Sequence, residues 1–310
     1  MNLTFWAALP QVQKQLQQLQ HYLLKTVDLP NQPIHTKILK LLQSGGKFLR
    51  PGIFYLFSSL GPNPDEDQLL AGASAQELLH LAVQGHNQVS DDKLQSLNLG
   101  QDKHQRNAIY AGDYLFTRYF DEILKTKPSS AEFSDYLTAM QRILSGHLTQ
   151  LQHQFDLTET VPDYFTEINQ RTGDAFRFSA EQGARLAGAA PELIDLSAAI
   201  GASIGTAYQV HQDIVLTFGQ PQSLLTSLQK GQYPLPIILI LNQTEMQQVL
   251  KRRQQLTISD VKLIQKQLDQ KAVQLQLTKL TDHINDLLNQ LPAGTAQNDL
   301  RQFITRLFQA

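Results

Sequence analysis

Apolar residues recur at three- and four-residue spacing along almost the whole chain, and no stretch alternates apolar with polar residues well enough to read as a strand. That property confines the fold to helices packed on helices. Val12, Leu16, Leu19 and Leu23 mark one face of a first amphipathic helix, which Pro30 and Pro33 help to end. Gly45-Gly46 breaks the next helix, and Arg50-Pro51 reopens it with proline near the first turn. Beyond the turn Gly61-Pro62-Asn63-Pro64, residues Asp65 to Val89 read as a long helix rich in small side chains. Further helices are predicted over Ala108–Leu124, Ala131–Leu151, Tyr164–Ala187, Pro191–Val215 and Leu235–Leu241. Val261, Ile264 and Leu268 keep helical spacing within Ile258–Leu291, and a turn at Pro292–Gly294 precedes a last helix to Ala310. With no repeat, charge block or linker, the prediction is an all-α protein with a single domain over residues 1–310.

A length of 310 residues permits a large core, and a net charge of -2 gives no basic surface for nucleic acid or an anionic membrane. Cysteine is absent, which excludes disulfides, thiolate catalysis and Cys-based zinc sites together. Met1–Pro10 has no basic region of the kind that opens a signal peptide. The longest aliphatic run, Ile237 to Leu241, is far below the roughly 20 residues that cross a bilayer. A cytoplasmic protein without a transmembrane segment is expected.

Gly45-Gly46-Lys47-Phe48-Leu49-Arg50-Pro51 places two flexible glycines before two cations three residues apart. At a helix start that spacing aims both side chains at one spot beside free backbone N–H groups. Lysine supplies a point charge and arginine a planar fork, a pair suited to a diphosphate. On these residues alone, a diphosphate site and a solvated cationic turn are equally good readings.

Four further segments frame this one: Glu77-Leu78-Leu79-His80, His86 to Asp91, Ala111-Gly112-Asp113-Tyr114-Leu115, and Gly205 to Leu216. Together they resemble the all-trans polyprenyl (isoprenyl) diphosphate synthase family. The resemblance implies a single-domain helical bundle around a central cavity, with Lys47, Arg50 and His80 binding isopentenyl diphosphate. It also implies two Asp-Asp-x-x-Asp motifs that hold Mg²⁺. Here the first falls on Asn87, Gln88 and Asp91, and the second on Gln212, Asp213 and Leu216. Mg²⁺ prefers charged oxygen ligands, so amides are weak substitutes and leucine is none. The alternative register Asp91-Asp92-x-x-Gln95 lies one turn further on, about 5.4 Å from the motif's place.

The family's paired arginines after the first motif have no counterpart in residues 92–100, where Lys93, and beyond them Lys103, are the nearest stand-ins. On the allylic-diphosphate side, Arg171-Thr172 matches a Lys-Thr pair, Gln209 is retained beside Tyr208, and Gln232 replaces a phosphate-binding lysine. Gln150 matches a glutamine that lines the family's cavity, and Ala82 and Val83 fall where product length is set. His86, His147, His153 and His211 invite a replacement metal site with Asp91 and Asp213, but scattered structural histidines are the better reading.

In the family's reaction, Mg²⁺ helps an allylic diphosphate leave and isopentenyl diphosphate attacks the resulting cation. Of six motif carboxylates, Asp91 and Asp213 remain as metal ligands, beside an isopentenyl diphosphate half that lacks only an arginine. The expectation is a synthase-like chain with weak or no turnover alone, acting as a partner or regulatory subunit in a homodimer or heterodimer. An active trans-prenyltransferase using Mg²⁺ is the alternative, and a non-enzymatic binder of isoprenoid diphosphates is a third.

Overall fold

A computed structural model describes residues 3–28, 32–44, 46–87 and 99–309. Among them there is no strand. The first stretch opens with a 3₁₀ turn, Leu3–Trp6, and α1 spans Pro10–Thr26 with Val12, Leu16, Leu19 and Leu23 buried as the periodicity predicts. Then come α2 (Gln32–Ser44), α3 (Leu49–Ser58), α4 (Glu66–His86), α5 (Leu99–Lys125) and α6 (Ser130–Gln152). Asp65 caps α4 by accepting from the backbone N–H groups of Asp67 and Gln68, which answers two of the helix's free donors. The small residues of α4 let α3 approach closely: a Cβ added at Gly72 would lie 2.7 Å from the Phe54 ring.

The predicted helix Tyr164–Ala187 is three pieces: α7 (Val161–Ile168), a π-helical turn over Asn169–Gly173, and α8 (Asp174–Leu186). A π turn has no apolar signature, so spacing alone reads it as continuous helix. Two glycines make room for it. A Cβ on Gly146 of α6 would lie 2.5 Å from the backbone nitrogen of Arg171, and one on Gly205 would lie 2.6 Å from the Thr172 carbonyl. Gly146→Ala should therefore destabilise the protein by about 1–2 kcal/mol, since overpacking against backbone outweighs alanine's better helix propensity. An unchanged urea midpoint would count against this account.

The rest comprises α9 (Pro191–Phe218), α10 (Pro221–Gln229), α11 (Leu235–Ile238), α12 (Thr244–Leu250), α13 (Ile258–Gln267), α14 (Gln270–Leu288) and α15 (Thr295–Gln309). Ile258–Leu291 is thus two helices: Leu268 is extended, and Asp269 restarts the chain by capping Lys271 and Ala272. The chain forms two compact units. One comprises Met1–Tyr136, Ser179–Ser197 and Ala293–Phe303, the other Leu137–Phe178, Ala198–Pro292 and Ile304–Ala310. In the described residues no helix is long and apolar enough to cross a membrane.

Candidate functional site

In the first unit, Lys47 and Arg50 flank the start of α3, where Phe48 takes a left-handed conformation with φ 52°. The Lys47 ammonium lies 5.0 Å from the Phe5 ring centroid, and its carbonyl accepts a 2.6 Å hydrogen bond from the Trp6 indole. Arg50 acts electrostatically on Glu77, a buried carboxylate of α4. Burial raises the Glu77 pKa to about 7, and the Arg50 charge opposes that rise. His80 follows Glu77 by three residues, on the same face of α4, with its Nε2 3.0 Å from Gln84 Nε2.

The second unit holds a cavity of about 130 Å³ walled by α6, α7, the π turn, α9 and the loop before α11. Three of its polar groups are acidic. Glu159, Glu167 and Asp213 line it and are each buried, with the Arg171 guanidinium and the His153 ring beside them. Arg171 Nε donates to Glu167 Oε1 at 2.5 Å, and His153 Nδ1 is 3.3 Å from Glu159 Oε1. Burial, then the charges of Glu167, Asp156, Asp163 and Asp213, raise Glu159 to a pKa of about 8.

Asp213 accepts three hydrogen bonds from protein groups. Gln209 Nε2 donates to Oδ1 at 2.9 Å, while the Tyr164 hydroxyl and the Leu235 backbone N–H both donate to Oδ2 at 2.8 Å. The Leu235 N–H is a free first-turn donor of α11, so Asp213 caps that helix from α9. Burial raises the Asp213 pKa and these three donors oppose it. Thr172 Oγ1 donates to Gln209 Oε1 at 3.2 Å, completing a relay from the π turn to Asp213.

Residues 31–270 match the polyprenyl synthetase family, which is most of the chain. The chain belongs to that family. It is 27% identical over 210 residues to the dimethylallyltranstransferase of Mycobacterium tuberculosis, a match covering 66% of this chain and 64% of that protein. It is 27% identical over 219 residues to heptaprenyl diphosphate synthase component 2 of Geobacillus stearothermophilus, covering 68% of this chain and 67% of that one. Matches thus span about two thirds of these relatives' length. Over its whole length the chain is similar to the crystal structure of geranylgeranyl pyrophosphate synthase from Lactobacillus brevis, with 41% identity, a TM-score of 0.91 and full coverage of both chains.

Within this family member, Arg171, Thr172, Gln209 and Asp213 come together, as do Arg50 and the α4 face that carries His80. Leu216 and Gln232 line the cavity, whereas Gln212 is half-buried outside its wall. Asn87 is exposed at the end of α4, and Ala82 and Val83 are buried within it. Gln88, Asp91 and Lys93 lie outside the described residues, and so does the first motif's metal question. The second motif is a poor fit for Mg²⁺: Asp213 is already hydrogen-bonded at both oxygens, leaving little of its acceptor capacity, and leucine offers no ligand. Among the described residues, no group of three His, Asp or Glu side chains is arranged to hold a metal. His86 instead contacts Asp113 Oδ1 at 3.1 Å, and His211 packs edge-on against Phe308.

Sequence reasoning missed Glu159, Glu167, Phe5 and Trp6. The carboxylates lie in a stretch rich in Asp, Thr and Glu that looks like helix-start chemistry, and Thr160 does form a capping box with Asp163. Buried acids carry no periodic signal of their own.

Proposed function

We propose that this chain is a subunit of a prenyl diphosphate synthase, with residues 1–310 acting as one domain and little or no turnover on its own. It binds isopentenyl diphosphate through Lys47, Arg50 and His80 and supports a catalytic partner in the cytoplasm. The observation that carries this reading is Asp213. Its carboxylate is engaged by Tyr164, Gln209 and Leu235, and Leu216 stands where a third carboxylate is needed. Arg171, the cation on the allylic side, is likewise engaged by Glu167. A diphosphate entering that cavity meets the buried acids Glu167 and Asp213 and has no lysine at Gln232, so Coulomb repulsion works against it. The likeness to a component 2 of heptaprenyl diphosphate synthase supports an assembly of more than one chain.

An active enzyme is the second reading, favoured by 41% identity to the Lactobacillus brevis geranylgeranyl pyrophosphate synthase. It needs Mg²⁺ held by the first motif and by Asp213 after rearrangement. Incubating the purified chain with labelled isopentenyl diphosphate, Mg²⁺ and allylic primers of several lengths separates the two. The subunit reading expects no product above background. Turnover on the order of 1 s⁻¹, ordinary for an enzyme, would overturn it.

A further inference from the structure

We infer that the N-terminal turn Leu3–Trp6 is the positioning element of the diphosphate-binding lysine, with Trp6 as its central residue. This rests on the reading that Lys47, Arg50 and His80 take a diphosphate. Trp6 is fully buried, and its indole N–H, which needs a partner once buried, donates to the Lys47 carbonyl at 2.6 Å. That carbonyl belongs to the peptide plane joining Lys47 to Phe48. Holding the plane holds Phe48 at φ 52°, a left-handed conformation that a bulky residue keeps only when its surroundings enforce it. Phe48 in turn sets the direction of Lys47 relative to Arg50, two residues into α3.

The rings around Trp6 make the arrangement rigid. A Cβ on Gly52 would lie 2.1 Å from the indole, so Trp6 rests directly on the first turn of α3. Its ring stacks on Phe303 of α15, with centroids 5.3 Å apart and planes 5° from parallel. Phe5 stands edge-on to both rings and holds the Lys47 ammonium at 5.0 Å, within cation–π range. One turn of chain therefore fixes the lysine at two points, its carbonyl and its ammonium. Phe5, Trp6 and Phe303 all lie outside residues 31–270, so the rings that hold the lysine fall beyond the family match.

Trp6 is also the chain's sole tryptophan, which makes it a built-in reporter. The test titrates the 310-residue chain with isopentenyl diphosphate and with inorganic pyrophosphate, by calorimetry and by tryptophan fluorescence. Wild type should bind with a saturable change in Trp6 emission at the midpoint of the heat, and Lys47→Ala should abolish both. Trp6→Phe keeps an aromatic ring but removes the donor, and should weaken binding about tenfold. Phe5→Leu keeps an apolar contact without the π face, and should weaken it about threefold. Ile123→Ala truncates a buried side chain of α5 in the same unit and should lower Tm without moving the affinity. Wild-type affinity in both Trp6→Phe and Phe5→Leu overturns the inference, as does an equal loss in Ile123→Ala. No heat from wild type with either ligand overturns the diphosphate reading and the inference with it.

Discussion

Asp213→Ala should lower the unfolding free energy by about 3–5 kcal/mol, in EDTA as much as in Mg²⁺. The substitution leaves the Tyr164 hydroxyl, the Gln209 amide and the Leu235 N–H without their acceptor in a buried site. Each buried donor left unsatisfied costs about 1–3 kcal/mol, partly recovered by relaxation and water. A carboxylate kept for metal behaves otherwise, because without the ion its removal relieves repulsion from Glu167. Thermal unfolding with and without Mg²⁺ distinguishes the two roles. A loss below about 1 kcal/mol, or one that appears only with Mg²⁺, would show that the carboxylate is free for a cation.

Helix positions were legible where a helix of several turns buries one face. The stripe Val12, Leu16, Leu19 and Leu23 predicts α1 because burial and spacing there have the same cause. Breaks were legible only when proline or glycine made them. At Leu268 an apolar residue continues the spacing while the backbone turns extended, and the signal for a new helix is the capping side chain of Asp269. The short helices α10 and α12 went unread, being about two turns each and too brief for a period to emerge. The π turn at Asn169–Gly173 left its trace in Gly146 and Gly205, far away in sequence.

The site was legible in proportion to how local its chemistry is. Lys47 and Arg50 sit three residues apart and announce a phosphate by charge and spacing. The state of Asp213 was not readable in this way, because its donors come from α7, α9 and α11. A surviving aspartate in a familiar register looks like a remaining metal ligand, yet tertiary contacts give it a different task. Glu159 and Glu167 were invisible for the same reason: they become an acidic cavity only when α7 and the π turn bring them toward α9.

That acidic cavity should make the protein less stable as pH rises from about 5 to 8.5, and Glu159→Gln should flatten the decline. Glu159 has a pKa of about 8 in the folded chain and an ordinary carboxylate value near 4.3 when unfolded. Between those values the folded state holds a proton that the unfolded state has released, so stability falls as pH climbs through the window. Glu77, raised to about 7, works in the same direction and ends its contribution sooner. The depressed carboxylates Asp65, Asp156, Asp163 and Asp260 act oppositely, but their contribution is lost only as pH falls below the ordinary carboxylate range. Glutamine removes the charge that faces Glu167, Asp156, Asp163 and Asp213 while keeping nearly the same volume. At pH 8.5 the variant should be more stable than wild type by about 2–4 kcal/mol, a gap that shrinks toward pH 5. Parallel pH profiles of Tm for the two proteins would mean that Glu159 is ionised as in solvent, and the cavity would then be more open to water than its burial implies.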